Sequence, residues 1–428
     1  MSTEQPDANA SVKCTVWSER DLIYDWNLVD SRRPIARWSR PVLFFDESLR
    51  DGIQCPSGVD PSVDEKLEIL HLMNSLGIHS ANIGLPAAGA RAAADVERIA
   101  REITSEGLNI GPAAAGRTRI NDIRPIVEIS QKTGRSLEVM AFLGSSPIRQ
   151  LAENWDLNRM VKMTVESIEL AAKEGLPVCF VTEDTIRSRP DTLDTLFRAA
   201  MNSGATRLCL CDTVGHATPD GVRTLVRFAQ SIIDATGNRD RVKLDWHGHN
   251  DRGLALANAI VALEAGADRL HGTGLGIGER VGNTSLDQLL LNLQLLGVID
   301  HDLSNLTTYC RKISTATQVP IPVNYPLAGA DAFRTATGVH AAAIMKAQNK
   351  GDAWLADRIY SGVPAGEFGC GQKIEIGHMS GASNVIYYLR ERLIEPTEER
   401  VVRILEFAKG AGRTLTEKEV LDLIQEQP

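Results

Sequence analysis

From residue 41 to about residue 297 the chain repeats one unit eight times: a short apolar or β-branched run, then a longer run with apolar residues at helical spacing. Strands are expected at 42–46, 80–85, 108–113, 137–143, 178–182, 207–211, 242–246 and 268–272. Helices are expected near 62–76, 90–106, 119–133, 157–174, 190–203, 218–235, 252–266 and 284–297. Eight strand–helix pairs in succession point to a closed parallel barrel. Open doubly wound sheets usually stop at about five or six strands and carry a glycine fingerprint after the first. The expected fold class is therefore α/β, a (β/α)8 TIM barrel with a C-terminal, mainly helical subdomain.

Outside residues 41–300 the rhythm is absent. Residues 1–40 read as an arm, with Trp17, Trp26 and Trp38 set among charges to pack on the barrel or on a partner subunit. Residues 301–330, with Pro320, Pro322 and Pro326, read as a linker, and 331–428 as the helical subdomain, with helical patterns at 331–349, 384–393 and 397–428.

Composition narrows the function classes. Charged residues are 24% and hydrophobic residues 43% of the chain, an ordinary globular balance. A formal net charge of -9 argues against a general polyanion binder, whose footprint is a basic face, yet leaves room for a small anion held by a few arginines. No nucleic-acid partner is expected. No apolar run approaches the roughly 18 to 20 residues of a membrane span, so no membrane partner is expected either. Seven cysteines without CxxC spacing suggest reduced thiols. With a polar N-terminus that shows no secretory signal, they suggest a cytoplasmic protein.

In a barrel of this kind the chemistry sits on loops that follow the strands. The polar residues of this chain sort to those places: Arg50 and Asp51 after the first strand, Ser145 and Ser146 after the fourth, Glu183 and Asp184 after the fifth. Asp212 and Thr213 follow the sixth, His247 and His249 the seventh, and 279–283 the eighth. Two histidines at i and i+2 of an extended segment point the same way. With Asp51 and Asn283 they form a mixed nitrogen and oxygen set suited to a divalent cation with positions left for substrate oxygens. The alternative for His247 and His249 is a pair that only caps strand-end hydrogen bonds. Arg50, beside Asp51, is placed to stabilise an enolate or alkoxide oxygen; its alternative is a surface salt bridge. The glycines of 272–283 are no dinucleotide fingerprint, because they follow the last strand and no acidic residue closes a ribose site about 20 residues on. Cys209 and Cys211 read as core, and His271 as an interior histidine rather than a ligand.

Four segments in order, 46–54 (DESLRDGIQ), 211–215 (CDTVG), 247–253 (HGHNDRG) and 276–283 (GIGERVGN), resemble the DRE-TIM metallolyases. That superfamily holds the isopropylmalate, homocitrate and citramalate synthases and hydroxymethylglutaryl-CoA lyase. The resemblance covers about residues 41–300 and continues more weakly through 337–340 (TGVH), Tyr360 and 377–381 (GHMSG), which look like the downstream subdomain of the synthases. It implies metal ligation by Asp51, His247, His249 and Asn283, and polarisation of the reacting carbonyl by Arg50. Contacts to a 2-oxo acid by Gln54, Glu183 and Thr213 are implied as well. His340 and Tyr360 would reach the partner's barrel in a homodimer with a swapped C-terminal region, and relay the proton taken from acetyl-CoA. The implied cofactor is Mg2+ or Mn2+, with Zn2+ as an alternative, and acetyl-CoA is the co-substrate. The implied reaction is a Claisen-type condensation of an acyl-CoA with a 2-oxo acid. A carbon–carbon lyase and a metal-binding non-catalytic homologue are the alternatives. The lyases carry a cysteine in the loop before the final asparagine, and this chain has GIGERV there.

Three departures from the family follow. Asn82 stands where the family has a strand-two glutamate that pairs with the catalytic arginine, so Arg50 is expected to lack a counter-charge and to be less tightly fixed. Arg149 stands where isopropylmalate synthases usually have histidine; either it binds a second anionic group of the acceptor or it faces solvent. The chain also ends near residue 428 without the regulatory domain of full-length isopropylmalate synthases, so leucine feedback through it is not expected.

Overall fold

The computed structural model describes residues 22–27, 29, 35 and 38–425. The chain divides into two units, 1–40 and 41–428. Trp17 of the first unit lies outside the described residues; in the same unit Tyr24 and Trp26 meet edge to face at 5.1 Å.

Eight parallel strands close the barrel in sequence order: β1 (Leu43–Asp46), β2 (Ser80–Asn82), β3 (Gly111–Arg117), β4 (Glu138–Gly144), β5 (Val178–Glu183), β6 (Arg207–Asp212), β7 (Lys243–Gly248) and β8 (Arg269–Gly272). β8 pairs with β1 through Leu43 with Arg269 to Asp46 with Gly272, which seals the cylinder. The outer helices start where local chemistry says they should. Ser62 and Glu65 form a reciprocal capping box before Val63–Ser75, and Thr218 caps Pro219–Ala235 with proline at its first turn.

Alternation along each strand decides what the barrel holds. Phe45, Ala113, Met140, Cys179 and Cys209 pack as one interior cluster. Next to it lies a layer of charge: the fully buried Asp245 pairs with Arg207 at 2.7 Å and Arg269 at 2.6 Å, and Arg269 reaches Glu138 at 2.7 Å. Buried charge is tolerable only when it is paired this way. His271 stacks on Phe45 at 4.3 Å and sets Nε2 3.1 Å from Asp245 Oδ2, so it is an interior histidine with a partner.

Four differences from the sequence expectation are seen. β3 lies later than 108–113 because its run, GPAAAGR, has little intrinsic strand preference, and pairing of Ala113 to Arg117 with β4 sets its place. The stretch 301–330, expected as a linker, contains the helix Leu306–Thr317, whose Leu306, Tyr309, Cys310 and Ile313 are buried. Tyr309 donates to Asp46 Oδ2 at 2.5 Å and so pins this helix to the end of β1. Beyond it, residues 331–349 are not helical throughout: Arg334–Thr335 pairs with Lys373–Ile374 in a two-stranded ribbon before the helix Gly338–Asn349. The last helical pattern divides into Glu398–Ala411 and Glu417–Gln425, with Gly412 left-handed between them. These helices and Ala382–Glu391 share a core that includes Val385, Leu389, Ile404 and Val420. No helix among the described residues is long and apolar enough to cross a membrane.

Candidate metal centre

Strand parity carries Asp245 and His247 into the barrel and leaves His249 just beyond β7 on the same side. The turn after β1 brings Asp51 to meet them. Its Oδ2 lies 3.3 Å from His247 Nε2 and 3.5 Å from His249 Nε2, and all three residues are buried. The fourth candidate arrives by a fold-back of the loop after β8. His249 and Asn283 form an isolated antiparallel bridge, reinforced by Thr284 N donating to Gly248 O at 2.9 Å. The glycines make this turn feasible: at Gly282, φ is +86° and a Cβ would lie 1.8 Å from Gly276 O.

The arrangement fits a cation. Asn283 donates its amide to Ile277 O at 3.1 Å, while its Oδ1 and His249 Nδ1 are buried with no hydrogen-bond partner among the described residues. An orphaned buried carbonyl oxygen costs free energy unless something binds it. Burial favours the neutral form of His247, as a ligand requires. Burial would raise the Asp51 carboxyl, but Arg50 and the two histidines outweigh that and hold it well below the usual range. One carboxylate, two imidazoles and an amide oxygen suit a hard or borderline divalent ion. Glu47, His247 and His271 also come within 4.8 Å of one another, but Glu47 already accepts from Arg50 and Asn82, and His271 faces Asp245, so this group is a hydrogen-bonded layer beside the centre.

Around the centre opens a cleft lined by Arg50, Gln54, Asn82, Glu183, Thr213 and Arg280, among others. Gln54 stands at its exposed rim, and Thr213 Oγ1 accepts from Asp184 N at 2.8 Å. Arg280, with φ of +58°, clasps Asp251 at 2.8 Å and Thr213 O at 2.7 Å, tying the loops after β6, β7 and β8 together.

Arg50 overturns the expectation built on Asn82. It does have a buried counter-charge, Glu47, which receives Nε at 3.0 Å and Nη2 at 2.7 Å. Asn82 donates to the same carboxylate oxygen at 2.9 Å and reaches Arg50 only through it. Burial alone would raise the Glu47 carboxyl; Arg50 and His271 outweigh it and hold it at about 2. The sequence reading missed Glu47, although it shares the inward parity of Phe45 two residues earlier.

Arg149 combines features of both readings, with a side chain 42% exposed. Its side chain lies over Gly144, its Nε is buried without a partner among the described residues, and Nη2 is 3.4 Å from Glu153 and 3.8 Å from Glu183. With Arg117, Arg119 and Trp155 it lines a second cleft that shares Phe142 and Glu183 with the first. Burial raises the Glu183 carboxyl, against the opposing pull of Arg149 and Arg50. His340 and Tyr360 are not brought to the centre by their own chain: they stack on each other at 4.0 Å, Tyr360 is exposed, and neither lines either cleft.

Comparison with known proteins agrees with this fold. The HMGL-like family model matches residues 41–314. The homocitrate synthase AksA of Methanothermobacter thermautotrophicus is 33% identical over 86% of this chain and 88% of its own. A probable 2-isopropylmalate synthase of Methanopyrus kandleri is 31% identical over 87% of this chain and 70% of its own. Among solved structures, HMG-CoA lyase of Bacillus subtilis superposes with a TM-score of 0.55 at 20% identity, covering 67% of this chain and 96% of that one, a likeness of fold. Barrel and relatives agree, and the chain belongs to the HMGL-like family, the DRE-TIM metallolyases.

Proposed function

We propose that the protein is an acyltransferase that condenses acetyl-CoA with a 2-oxo acid bearing a second anionic group, in the manner of the homocitrate and isopropylmalate synthases it resembles. The observation that carries this reading is the convergence of Asp51, His247 and His249 with Arg50 on one cleft, with Asn283 bridged to His249, and the sharing of Glu183 between that cleft and a second one lined by arginines. A divalent cation at the four residues, Mg2+ or Mn2+ before Zn2+, supplies Lewis acidity toward the keto oxygen of the acceptor. Arg50 presents a permanent positive charge to that oxygen as it becomes an alkoxide. Gln54 and Thr213 hold the adjacent carboxylate, Glu183 bounds the acceptor, and Arg149 takes the distal anion.

The condensation removes a proton from the acetyl methyl group, forms the bond to the keto carbon and protonates the resulting oxygen; water then cleaves the thioester and releases CoA thiol. His340, stacked on Tyr360, is the candidate proton relay. Both lie away from the clefts of their own chain, so the reading requires a homodimer in which each C-terminal region serves the partner's barrel. The test is release of free CoA thiol with Mn2+ over pyruvate, 2-oxoisovalerate, 2-oxoglutarate, oxaloacetate and glyoxylate. Turnover with a dianionic acceptor, and a loss of about 10- to 100-fold in kcat/KM for it in Arg149→Ala, are expected. An unchanged kcat/KM for the dianionic acceptor in that variant rules out the distal role, and silence over all five rules out the condensation.

A further inference from the structure

We infer that Glu47 and Asn82 act as one device that positions Arg50, with the fixed negative charge carried on the turn after β1 and the neutral hydrogen-bond donor on β2. The inference rests on the condensation reading above, in which Arg50 faces the reacting oxygen.

Glu47 organises the turn twice over. Its backbone carbonyl accepts from Arg50 N at 3.1 Å, Asp51 N at 2.8 Å and Gly52 N at 3.0 Å, so one oxygen shapes the bend that carries both the arginine and a metal ligand. Its side chain, 1% exposed, then gathers three N–H donors on Oε2, two from the Arg50 guanidinium and one from Asn82. Its backbone N donates to Gly272 O at 2.8 Å, anchoring the bend to β8, and Oε1 lies 3.4 Å from His271 Nδ1. The carboxylate is thus held from the turn after β1, from β2 and from β8, and two Arg50 N–H groups converge on its Oε2. A guanidinium has five N–H donors, and the two committed to Glu47 fix the plane in which the others face the cleft, where the side chain stays 21% exposed.

This geometry also explains why an amide stands at residue 82. A carboxylate there would place a second negative oxygen about 3 Å from Glu47 Oε2 in a buried layer, and two like charges at that separation do not both ionise. Asn82 instead donates to Oε2, where Arg50 is the one cationic donor among the described residues. The two residues are therefore interdependent: each is suited to its place only because of the other. If charge and amide are a unit, they can be exchanged. A glutamate at 82 is one methylene longer than asparagine and can bring its oxygen toward the place Glu47 Oε2 now holds, provided residue 47 is neutral.

Four proteins test this: wild type, Glu47→Gln, Asn82→Glu, and the exchanged Glu47→Gln/Asn82→Glu. The readouts are CoA release with the preferred acceptor, KM for acetyl-CoA, and Mn2+ affinity by calorimetry. Loss of a guanidinium's orientation should lower kcat of Glu47→Gln about 100-fold with KM for acetyl-CoA and Mn2+ affinity within about threefold of wild type, whereas a collapsed site would lose the ion as well. Asn82→Glu should lose activity too, and the exchanged variant should recover to within about tenfold of wild type. Wild-type kcat in Glu47→Gln, or an exchanged variant no better than the single ones, overturns the inference. If Glu47→Gln does not fold, the exchanged variant decides alone: activity upholds the device, and an unfolded or folded but inactive protein overturns it. An inert wild type is a different failure, that of the condensation reading itself.

Discussion

The backbone of His249 pairs with that of Asn283 in an isolated antiparallel bridge. Asn250 N donates to Gly282 O at 3.0 Å and Thr284 N to Gly248 O at 2.9 Å, so two candidate ligands from different loops are held side by side by bonds between their neighbours, and the candidate centre is shaped by the fold. Asp51 is fixed as firmly, through Asp51 N on the Glu47 carbonyl at 2.8 Å. Preorganisation of this sort lowers the ordering cost of binding.

Removing single ligands should consequently weaken the ion without unfolding the barrel. Asp51→Ala and His247→Ala are each expected to lower Mn2+ affinity by about 100-fold or more, with Asn283→Ala losing less because an amide oxygen carries no charge. Calorimetric titration of the three variants checks the order, and unchanged affinity in Asp51→Ala would exclude it as a ligand.

Gly282→Ala probes the fold-back of the loop after β8. The added methyl group meets Gly276 O, and φ of +86° disfavours any side chain. Left-handed strain alone costs about 1–3 kcal/mol, so the loop should open and take Asn283 out of place. Reduced Mn2+ affinity alongside a nearly intact far-ultraviolet circular dichroism spectrum is the expected result; wild-type affinity would show that the loop tolerates the change.

Asp287 gives a pH signature. Burial pushes its carboxyl from 3.8 up to about 6, against hydrogen bonds from Tyr325 and Leu275 N. The folded protein thus binds this proton more tightly than the unfolded chain, and the residue's contribution to stability is most favourable below pH 3.8, falls as pH rises toward about 6, and is level above that. The difference in unfolding free energy between wild type and Asp287→Asn should therefore decline by about 3 kcal/mol across that window. Urea melts at intervals from pH 4 to 7 measure it, and a difference independent of pH would contradict the assignment.

His340 and Arg50 provide a test of subunit exchange. If the relay comes from the partner, Arg50→Ala and His340→Ala are each inactive alone, yet half of randomly mixed dimers carry one intact site of two. Mixing after mild dissociation should restore about a quarter of wild-type activity. No recovery in verified mixed dimers would place both residues at one chain's own site or deny His340 a role.

The sequence by itself determined the barrel and nominated the candidate ligands. Period-two and period-3.6 patterns repeat eight times, and the inward parity of Asp245, His247 and His249 or of Phe45 and Glu47 follows from alternation alone. It located elements well where branched and capped residues mark them, as in the helix Val63–Ser75, and poorly where they do not, as in the alanine-rich β3. Tertiary structure alone decided which polar groups meet. Asn82 and Glu47 are 35 residues apart, and nothing local says that the amide serves the carboxylate rather than the arginine. The helix Leu306–Thr317 likewise takes its place from Tyr309 reaching Asp46, 263 residues away. Periodicity reports which face of an element is buried; hydrogen bonds between elements depend on register and distance, and these exist only once the cylinder has closed.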